Sequence, residues 1–129
     1  KLIIHAKFHI CFISNVMCMN PCTFFKCLAD ETRLKTLLLI AKTGEACVCD
    51  LMAALCLDQP KASRHLAQLR KCGILVDERR GKWVFYKLHP QLPHWTTDVI
   101  NSAAENNDDY YSTAFQKLQA SQSSTLSCC

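Results

Sequence analysis

The hydrophobic period of this chain changes from helical spacing to strand-like alternation, and this change constrains the fold more than any other feature. From Asp30 to Gly44 the apolar residues recur at helical spacing, with Asp30 placed to cap a helix and Gly44 placed to end it. Over residues 74–88 the period becomes two, and Arg80-Gly81 marks the turn of a β-hairpin. The pattern predicts helices followed by a hairpin.

Two shorter apolar stripes lie between the long helix and the hairpin. The first predicts a helix of about two turns whose first residues include Cys47 and Cys49. The second follows Asp58-Gln59-Pro60, which offers a helix cap and a proline that the first turn tolerates. Helix, tight turn, helix and hairpin is the order of a winged helix-turn-helix, a mostly α fold with a β-hairpin wing (α+β).

The length of 129 residues, half of them apolar, predicts one domain with a real core. We expect residues 20–118 to form the winged domain with terminal dimerisation helices, and residues 119–129 to be a disordered tail. Beyond Pro93 the apolar spacing is helical again and fits either one helix or two.

Residues 1–19 form a doubtful leader, because the chain starts at Lys1 and its first methionines are Met17 and Met19. Lys7 interrupts this apolar segment, which is shorter than a membrane-spanning helix requires and has no signal-peptide cleavage pattern. We therefore expect no membrane partner.

The basic residues are placed as a DNA-binding surface requires, although a net charge of +4 does not by itself argue for nucleic acid. In a winged helix-turn-helix the second helix of the pair enters the major groove, and here it carries no acidic residue. For His65, packing at the edge of the apolar stripe is an equal alternative to a phosphate contact. The candidate DNA contacts are Gln59, Lys61, Ser63, Arg64, His65 and Gln68 on that helix, with Arg79, Arg80 and Lys82 at the hairpin turn.

Ten cysteines in an apolar-rich chain favour a reduced, cytoplasmic protein over a secreted disulfide scaffold. In a regular helix Cys47 and Cys49 would project to nearly opposite sides, so both can bind one ion only if the helix start unwinds. Binding would then be coupled to the helix that supports the DNA reader. Sulfur ligands favour soft, thiophilic ions. The alternative is that both cysteines are ordinary core residues.

Several motifs closely resemble the arsenical-resistance repressors of the ArsR family, over roughly residues 20–95. They are Phe25-Lys26-Cys27-Leu28-Ala29-Asp30-Glu31-Thr32-Arg33-Leu34, Cys47-Val48-Cys49-Asp50-Leu51, Gln59-Pro60-Lys61-Ala62-Ser63-Arg64-His65-Leu66 and Gly81-Lys82-Trp83-Val84-Phe85-Tyr86. The resemblance implies a homodimer on double-stranded operator DNA, with no enzymatic activity. It also implies an inducer, As(III) or Sb(III), which binds the cysteine thiolates and releases the repressor.

One departure from the family pattern concerns the third sulfur ligand, because Met52 stands where the resemblance expects a cysteine. A thioether is soft but uncharged, and Cys56 is about 10 Å further along the helix axis than Cys49. The remaining candidates for a third thiolate are Cys22, Cys27, the tail residues Cys128 and Cys129, a cysteine of the partner subunit and an external thiol.

Two other functions fit parts of the pattern. One is a thiol-redox-sensing winged-helix repressor without a metalloid response, and the other is a repressor that has lost ion sensing, with Met52 as its sign. A redox enzyme fits poorly, because such enzymes usually place Cys-x-x-Cys at a helix start in an α/β fold. A zinc sensor also fits poorly, since no histidine follows Asp98 on the C-terminal helix.

Overall fold

The computed structural model describes residues 19–124. The expected leader, except for Met19, and the last five residues, with Cys128 and Cys129, lie outside the described residues. The described helices are α1 (Pro21–Leu28), α2 (Glu31–Thr43), α3 (Val48–Leu55), α4 (Gln59–Lys71), α5 (His94–Asn106) and α6 (Asp108–Ser123). The strands are β1 (Ala46–Cys47), β2 (Leu75–Arg80) and β3 (Trp83–Leu88), and they form one antiparallel sheet in the order β1-β3-β2. The element order confirms the predicted winged helix-turn-helix.

The helix boundaries follow from the capping residues that the sequence provides. Asp30 accepts a hydrogen bond from the Arg33 amide at 3.0 Å, and Asp58 accepts one from the Lys61 amide at 2.9 Å. Such side-chain acceptors satisfy amides at a helix start that have no partner within the helix. Gly44 ends α2 at a φ of 92°, which glycine adopts without steric cost. The caps fix where α2 and α4 begin.

The wing is the β2–β3 hairpin, and its register sets which side chains reach its tip. The pairing runs from Leu75 opposite Leu88 to Arg80 opposite Trp83, so Gly81 and Lys82 form the turn. Gly81 has a φ of 64°, the left-handed conformation that two-residue hairpin turns require. The cationic residues around this turn are therefore held at the far end of the hairpin.

The core lies where α2 packs against the other helices and the sheet. Leu37 and Ile40 of α2, Leu66 and Leu69 of α4, and Leu118 of α6 are essentially inaccessible to solvent. The helical region after Pro93 is two helices that meet at Asn107. The second of them runs to Ser123, so the first five residues of the segment expected as a disordered tail are helical. Within residues 19–124, no helix is both long enough and apolar enough to cross a membrane.

Candidate DNA interface and thiol site

Helix α4 separates a buried apolar face from an exposed polar one. Ala62, Leu66 and Leu69 are buried. The polar candidates Gln59, Lys61, Ser63, Arg64 and Gln68 are all exposed. The exposed face combines amide, hydroxyl and cationic groups, which are the groups that contact base edges and phosphates.

His65 differs from the other polar residues of α4 because its side chain is only 14% exposed. Its Nδ1 lies 3.8 Å from Oδ2 of Asp30, the residue that caps α2. The nearby imidazole contributes to lowering the pKa of the Asp30 carboxyl, after the larger effect of the hydrogen bond from the Arg33 amide. Of the two alternatives for His65, the geometry favours packing at the edge of the apolar stripe.

The three cations of the wing do not have equivalent surroundings. Arg79 and Lys82 are exposed. The Arg80 guanidinium donates two hydrogen bonds to Glu45, at 2.6 and 2.7 Å, and one to Glu78 at 2.8 Å. It also lies 4.5 Å from the centre of the Phe85 ring. Arg80 therefore holds the hairpin against the residue that precedes β1.

The pKa values of the carboxyl groups that pair with Arg80 are shifted by this ion-pair network. Hydrogen bonds from Arg80 lower the pKa of the Glu45 carboxyl and of the Glu78 carboxyl. Both carboxylates stay charged to lower pH than usual, and the pKa of Arg80 is raised in turn. Two carboxylates thus offset the positive charge of Arg80, whereas Arg79 and Lys82 form no ion pair within residues 19–124.

Cys47 and Cys49 lie in two different local structures. Cys47 is the last residue of β1, where it is paired with Phe85, and its backbone is extended (φ −79°, ψ 151°). Helix α3 begins only at Val48, so Cys49 is its second residue. The prediction that the helix includes both cysteines is wrong for Cys47, because pairing with β3 holds that residue in the sheet. The helix therefore begins after Cys47, whose backbone is extended.

A cleft of about 690 Å³ brings these cysteines together with some of the residues predicted to contact DNA. Its lining includes Cys47, Cys49 and Met52 from the thiol segment, Gln59 and Ser63 from α4, and Lys82 from the wing. Cys49 is disulfide-bonded in this structure, so its thiolate becomes available to an ion only after reduction. An occupant of the cleft would touch the thiol segment, the start of α4 and the wing at once.

A second cavity, of about 520 Å³, lies on the other side of Cys47 and reaches the C-terminal helix. Its lining includes Cys47, Asp50, Trp83, Ser121 and Gln122. The Asp50 side chain is buried, and the Ser121 hydroxyl donates a 2.6 Å hydrogen bond to its Oδ1. The sequence does not signal this bond, because 71 residues separate its partners and no local pattern marks such a pair.

The structure also places the other described cysteines. Cys22 is exposed on α1, and Cys56 is exposed just after α3, with its sulfur 3.4 Å from the Lys117 ammonium. Cys27 is buried against Cys72, with their sulfurs 2.6 Å apart. Across residues 19–124, no three cysteine, histidine or acidic side chains come together in a group that could hold a metal ion. The described residues therefore supply two sulfur ligands at the cleft and no third thiolate.

Comparison with known proteins agrees with this geometry. Residues 30–76 match the family model described as bacterial regulatory protein, arsR family. The arsenic resistance transcriptional regulator ArsR1 of Pseudomonas putida is 52% identical over 94 residues, which cover 73% of this chain and 73% of that protein. The arsenical resistance operon repressor of Escherichia coli is 54% identical over 83 residues, covering 64% of this chain and 71% of that protein.

Solved structures give the same fold. The reduced form of HlyU from Vibrio cholerae superposes with a TM-score of 0.59 at 28% identity, covering 66% of this chain and 85% of that chain. The AntR antimony-specific transcriptional repressor gives a TM-score of 0.55, also at 28% identity, covering 67% of this chain and 75% of that chain.

Proposed function

Because this chain belongs to the ArsR family of bacterial transcriptional repressors, which are DNA-binding regulators and not enzymes, we propose that it represses an arsenic-resistance operon and leaves operator DNA when As(III) or Sb(III) binds Cys47 and Cys49. Two relatives are named for arsenic or arsenical resistance, and one structural neighbour is named as antimony-specific. These names set the class of inducer that we propose for this chain.

The observation that carries the proposal is the shared cleft. Cys47 and Cys49 face the same space as Gln59 and Ser63 at the start of α4 and Lys82 at the wing tip. Cys47 lies in β1 and Cys49 in α3, so an ion bound by both sulfurs would link these two elements. Because β1 is paired with the wing strand β3, a shift of Cys47 on binding would reach the proposed DNA contacts of the wing.

The sulfur atoms that line the cleft supply part of the ligand set that a soft ion requires. Two cysteine sulfurs suit thiophilic ions, and Met52 adds an uncharged thioether to the same cleft. Gln122 lines the cavity on the other side of Cys47, and Cys128 follows six residues later in the chain. Six residues can span up to about 20 Å, so we propose the tail cysteines, Cys128 and Cys129, as the source of the missing thiolate.

On the DNA side, we propose that the exposed face of α4 reads the major groove and that the wing contacts the backbone. Arg64, at the middle of that face, is the proposed base-reading residue. Arg79 and Lys82 are the proposed phosphate contacts of the wing. Arg80 positions the wing through Glu45 and Glu78 in this proposal.

We further propose that the repressor is a homodimer that pairs through α1 and α5. Phe25 is 50% exposed and Trp95 is 37% exposed, and both rings pack against buried Phe24. Exposed aromatic side chains grouped on two adjacent helices are typical of protein interfaces. Sedimentation should show a dimer, and Phe25→Glu should shift it to monomer; a dimer unaffected by that change would place the interface elsewhere.

The test of the function is operator release by arsenite. A labelled DNA duplex is first selected from a random library with the reduced protein, and release is followed by fluorescence anisotropy. The Cys47→Ser/Cys49→Ser variant should bind the duplex but require at least about 100-fold more arsenite for release, whereas the control Cys22→Ser/Cys56→Ser should respond normally. Equal responses in both variants would refute the proposed inducer site.

The Cys128→Ser/Cys129→Ser variant tests the third ligand. An unchanged response to arsenite would exclude the tail cysteines as its source.

One observation favours the redox-sensing alternative, namely that Cys49 is disulfide-bonded in this structure. The same assay separates the two functions if peroxide is titrated in place of arsenite. Release by arsenite from the fully reduced protein supports the metalloid repressor. Release by peroxide alone, reversed by dithiothreitol, would establish the redox sensor instead.

A further inference from the structure

A second cysteine pair lies at the opposite end of α4 from the cleft. The thiol of Cys27, on α1, donates a hydrogen bond to the sulfur of Cys72, the residue that ends α4, and the two sulfurs are 2.6 Å apart. The pair is separated by 45 residues in the sequence, so only the packing of α1 against the end of α4 brings it together. Two sulfurs at this separation are closer than sulfur atoms in ordinary van der Waals contact and need only a small movement to bond covalently.

The two thiols differ in access to solvent. Cys27 is 3% exposed, whereas Cys72 is partly exposed and lines a cleft of about 320 Å³. The same cleft is lined by Lys71 and by Arg70, which forms an ion pair with Asp77 at 3.3 Å. A small polar oxidant can therefore reach Cys72 first, and Cys27 is placed to react with the product.

We propose that Cys27 and Cys72 form a reversible disulfide that joins α1 to the C-terminal end of α4 when the protein meets a peroxide. In the first step the Cys72 sulfur attacks hydrogen peroxide, the O–O bond breaks, and Cys72 becomes a sulfenic acid with release of water. In the second step the Cys27 sulfur attacks the Cys72 sulfur, the S–O bond breaks, and a second water leaves with the Cys27 proton. One peroxide thus oxidises two thiols to one disulfide and two waters, and a dithiol reductant reverses it.

The environment of Cys27 supports this order of steps. Burial raises the pKa of the Cys27 thiol to about 12, and the hydrogen bond and charge of Cys72 add to the effect. Cys27 is therefore a poor first nucleophile. Burial is the largest of these effects, so the partly exposed Cys72 reacts with peroxide first and Cys27 acts as the resolving thiol.

The proposed disulfide preserves the described arrangement, because its two sulfurs are already in contact there. Gln68, on the exposed face of α4, lies beside the pair: its carbonyl is 3.9 Å from the Cys27 sulfur and its side-chain amide 3.9 Å from the Cys72 sulfur. The bond would close a large loop of chain, and such a cross-link stabilises mainly by restricting the unfolded state. We therefore expect oxidation to stabilise the fold and to leave the DNA-binding face in place.

Peptide mapping tests whether the bond forms. The Cys47→Ser/Cys49→Ser variant is treated with one equivalent of hydrogen peroxide, blocked with N-ethylmaleimide and digested with trypsin. Because Lys26 and Lys71 precede the two cysteines, the bond should appear as one cross-linked peptide that joins residues 27–33 to residues 72–79. The cross-link should be absent from Cys72→Ser and abundant in the control Cys22→Ser, both made in the same variant. A yield no higher than in guanidinium-unfolded protein would overturn the proposal.

Thermal unfolding and DNA binding test what the bond does. The oxidised Cys47→Ser/Cys49→Ser variant should unfold at a higher midpoint temperature than the same variant when reduced, and dithiothreitol should reverse the difference. Its affinity for the selected duplex should stay within about twofold. A lower midpoint, or a loss of DNA binding on oxidation, would show that the bond distorts the fold and would refute the preserved arrangement. These measurements need no arsenite, so they succeed or fail independently of the proposed inducer site.

Discussion

Two cysteine pairs lie near the two ends of α4, the helix that we propose reads DNA, and they differ in almost every respect. Cys47 and Cys49 are close in sequence, belong to a strand and a helix, and line an open cleft beside the start of α4. Cys27 and Cys72 are distant in sequence, lie at the far end of α4, and their sulfurs already touch. The first pair belongs to two different elements beside an open cleft, whereas the sulfurs of the second pair are already in contact.

In our proposals the two pairs have opposite effects on the same helix. An ion bound by the first pair would link β1 to α3, and β1 is part of the sheet that carries the wing. A bond within the second pair would hold the other end of α4 where it already lies. Whether a thiol pair changes or preserves the structure would then depend on how closely its geometry before the reaction matches the geometry of the bond formed.

The largest expected effect concerns the alkylation rate of Cys27, which should be far lower than that of a cysteine with an unshifted pKa. With a pKa of about 12 instead of 9.0, the thiolate of Cys27 should be roughly a thousandfold scarcer at pH 8 than that of an unshifted cysteine. Alkylation by iodoacetamide should be slower in proportion and rise tenfold for each pH unit up to about pH 12. Cys72→Ala should speed it up, because the hydrogen bond from Cys27 is lost; unchanged kinetics would contradict the described contact.

The next largest effect should come from a variant that adds a third thiolate to the cleft. Met52 lies one turn beyond Cys49 on the same face of α3, so Met52→Cys should complete a three-sulfur site. The arsenite concentration for half-release should fall at least about tenfold, equivalent to about 1.4 kcal/mol of binding free energy. Ala53→Cys is the matched control, because Ala53 is exposed and does not line the cleft. Equal sensitisation by both variants would show that the position of the added sulfur does not matter.

The two regions proposed to contact DNA should respond differently to loss of a cation. Arg64→Ala should weaken binding to the selected duplex about tenfold and relax base preference, since base contacts are each worth about 1–3 kcal/mol. Lys82→Ala should weaken binding to all sequences alike and reduce the slope of affinity against salt by about one. Anisotropy titrations at several salt concentrations measure both. If the two variants behave alike, reader helix and wing do not have the separate roles proposed here.

The smallest expected effect concerns the contact between α6 and the thiol segment. Ser121→Ala removes the hydroxyl that donates to buried Asp50, which should lower the free energy of unfolding by about 1 kcal/mol. Ser123→Ala is the control, because the Ser123 hydroxyl donates to a carbonyl on the exposed side of the same helix. Urea unfolding measures the difference, and equal losses would mean that the Asp50 contact has no special weight.

The sequence was sufficient wherever the determinant was local. Asp30 and Asp58 cap the helices as predicted, and Gly81 forms the hairpin turn, because each acts on residues a few positions away. The division of Cys47 from Cys49 was not predictable, since pairing with Phe85 holds Cys47 in the sheet. The ion pair between Arg80 and Glu45, which is 35 residues away, was equally unpredictable from the sequence. These contacts exist only after the elements pack, so no sequence period or motif reports them.

The position of Trp83 has a practical consequence. The chain contains two tryptophans: Trp83 lines the cavity beside Cys47, and Trp95 lies in the aromatic cluster with Phe24. Indole fluorescence responds to the polarity and heavy atoms of its surroundings, so emission from Trp83 should report events at Cys47. A Trp95→Phe variant would isolate that signal. The repressor thus contains its own optical probe, and binding at the thiol segment can be timed without attaching a dye.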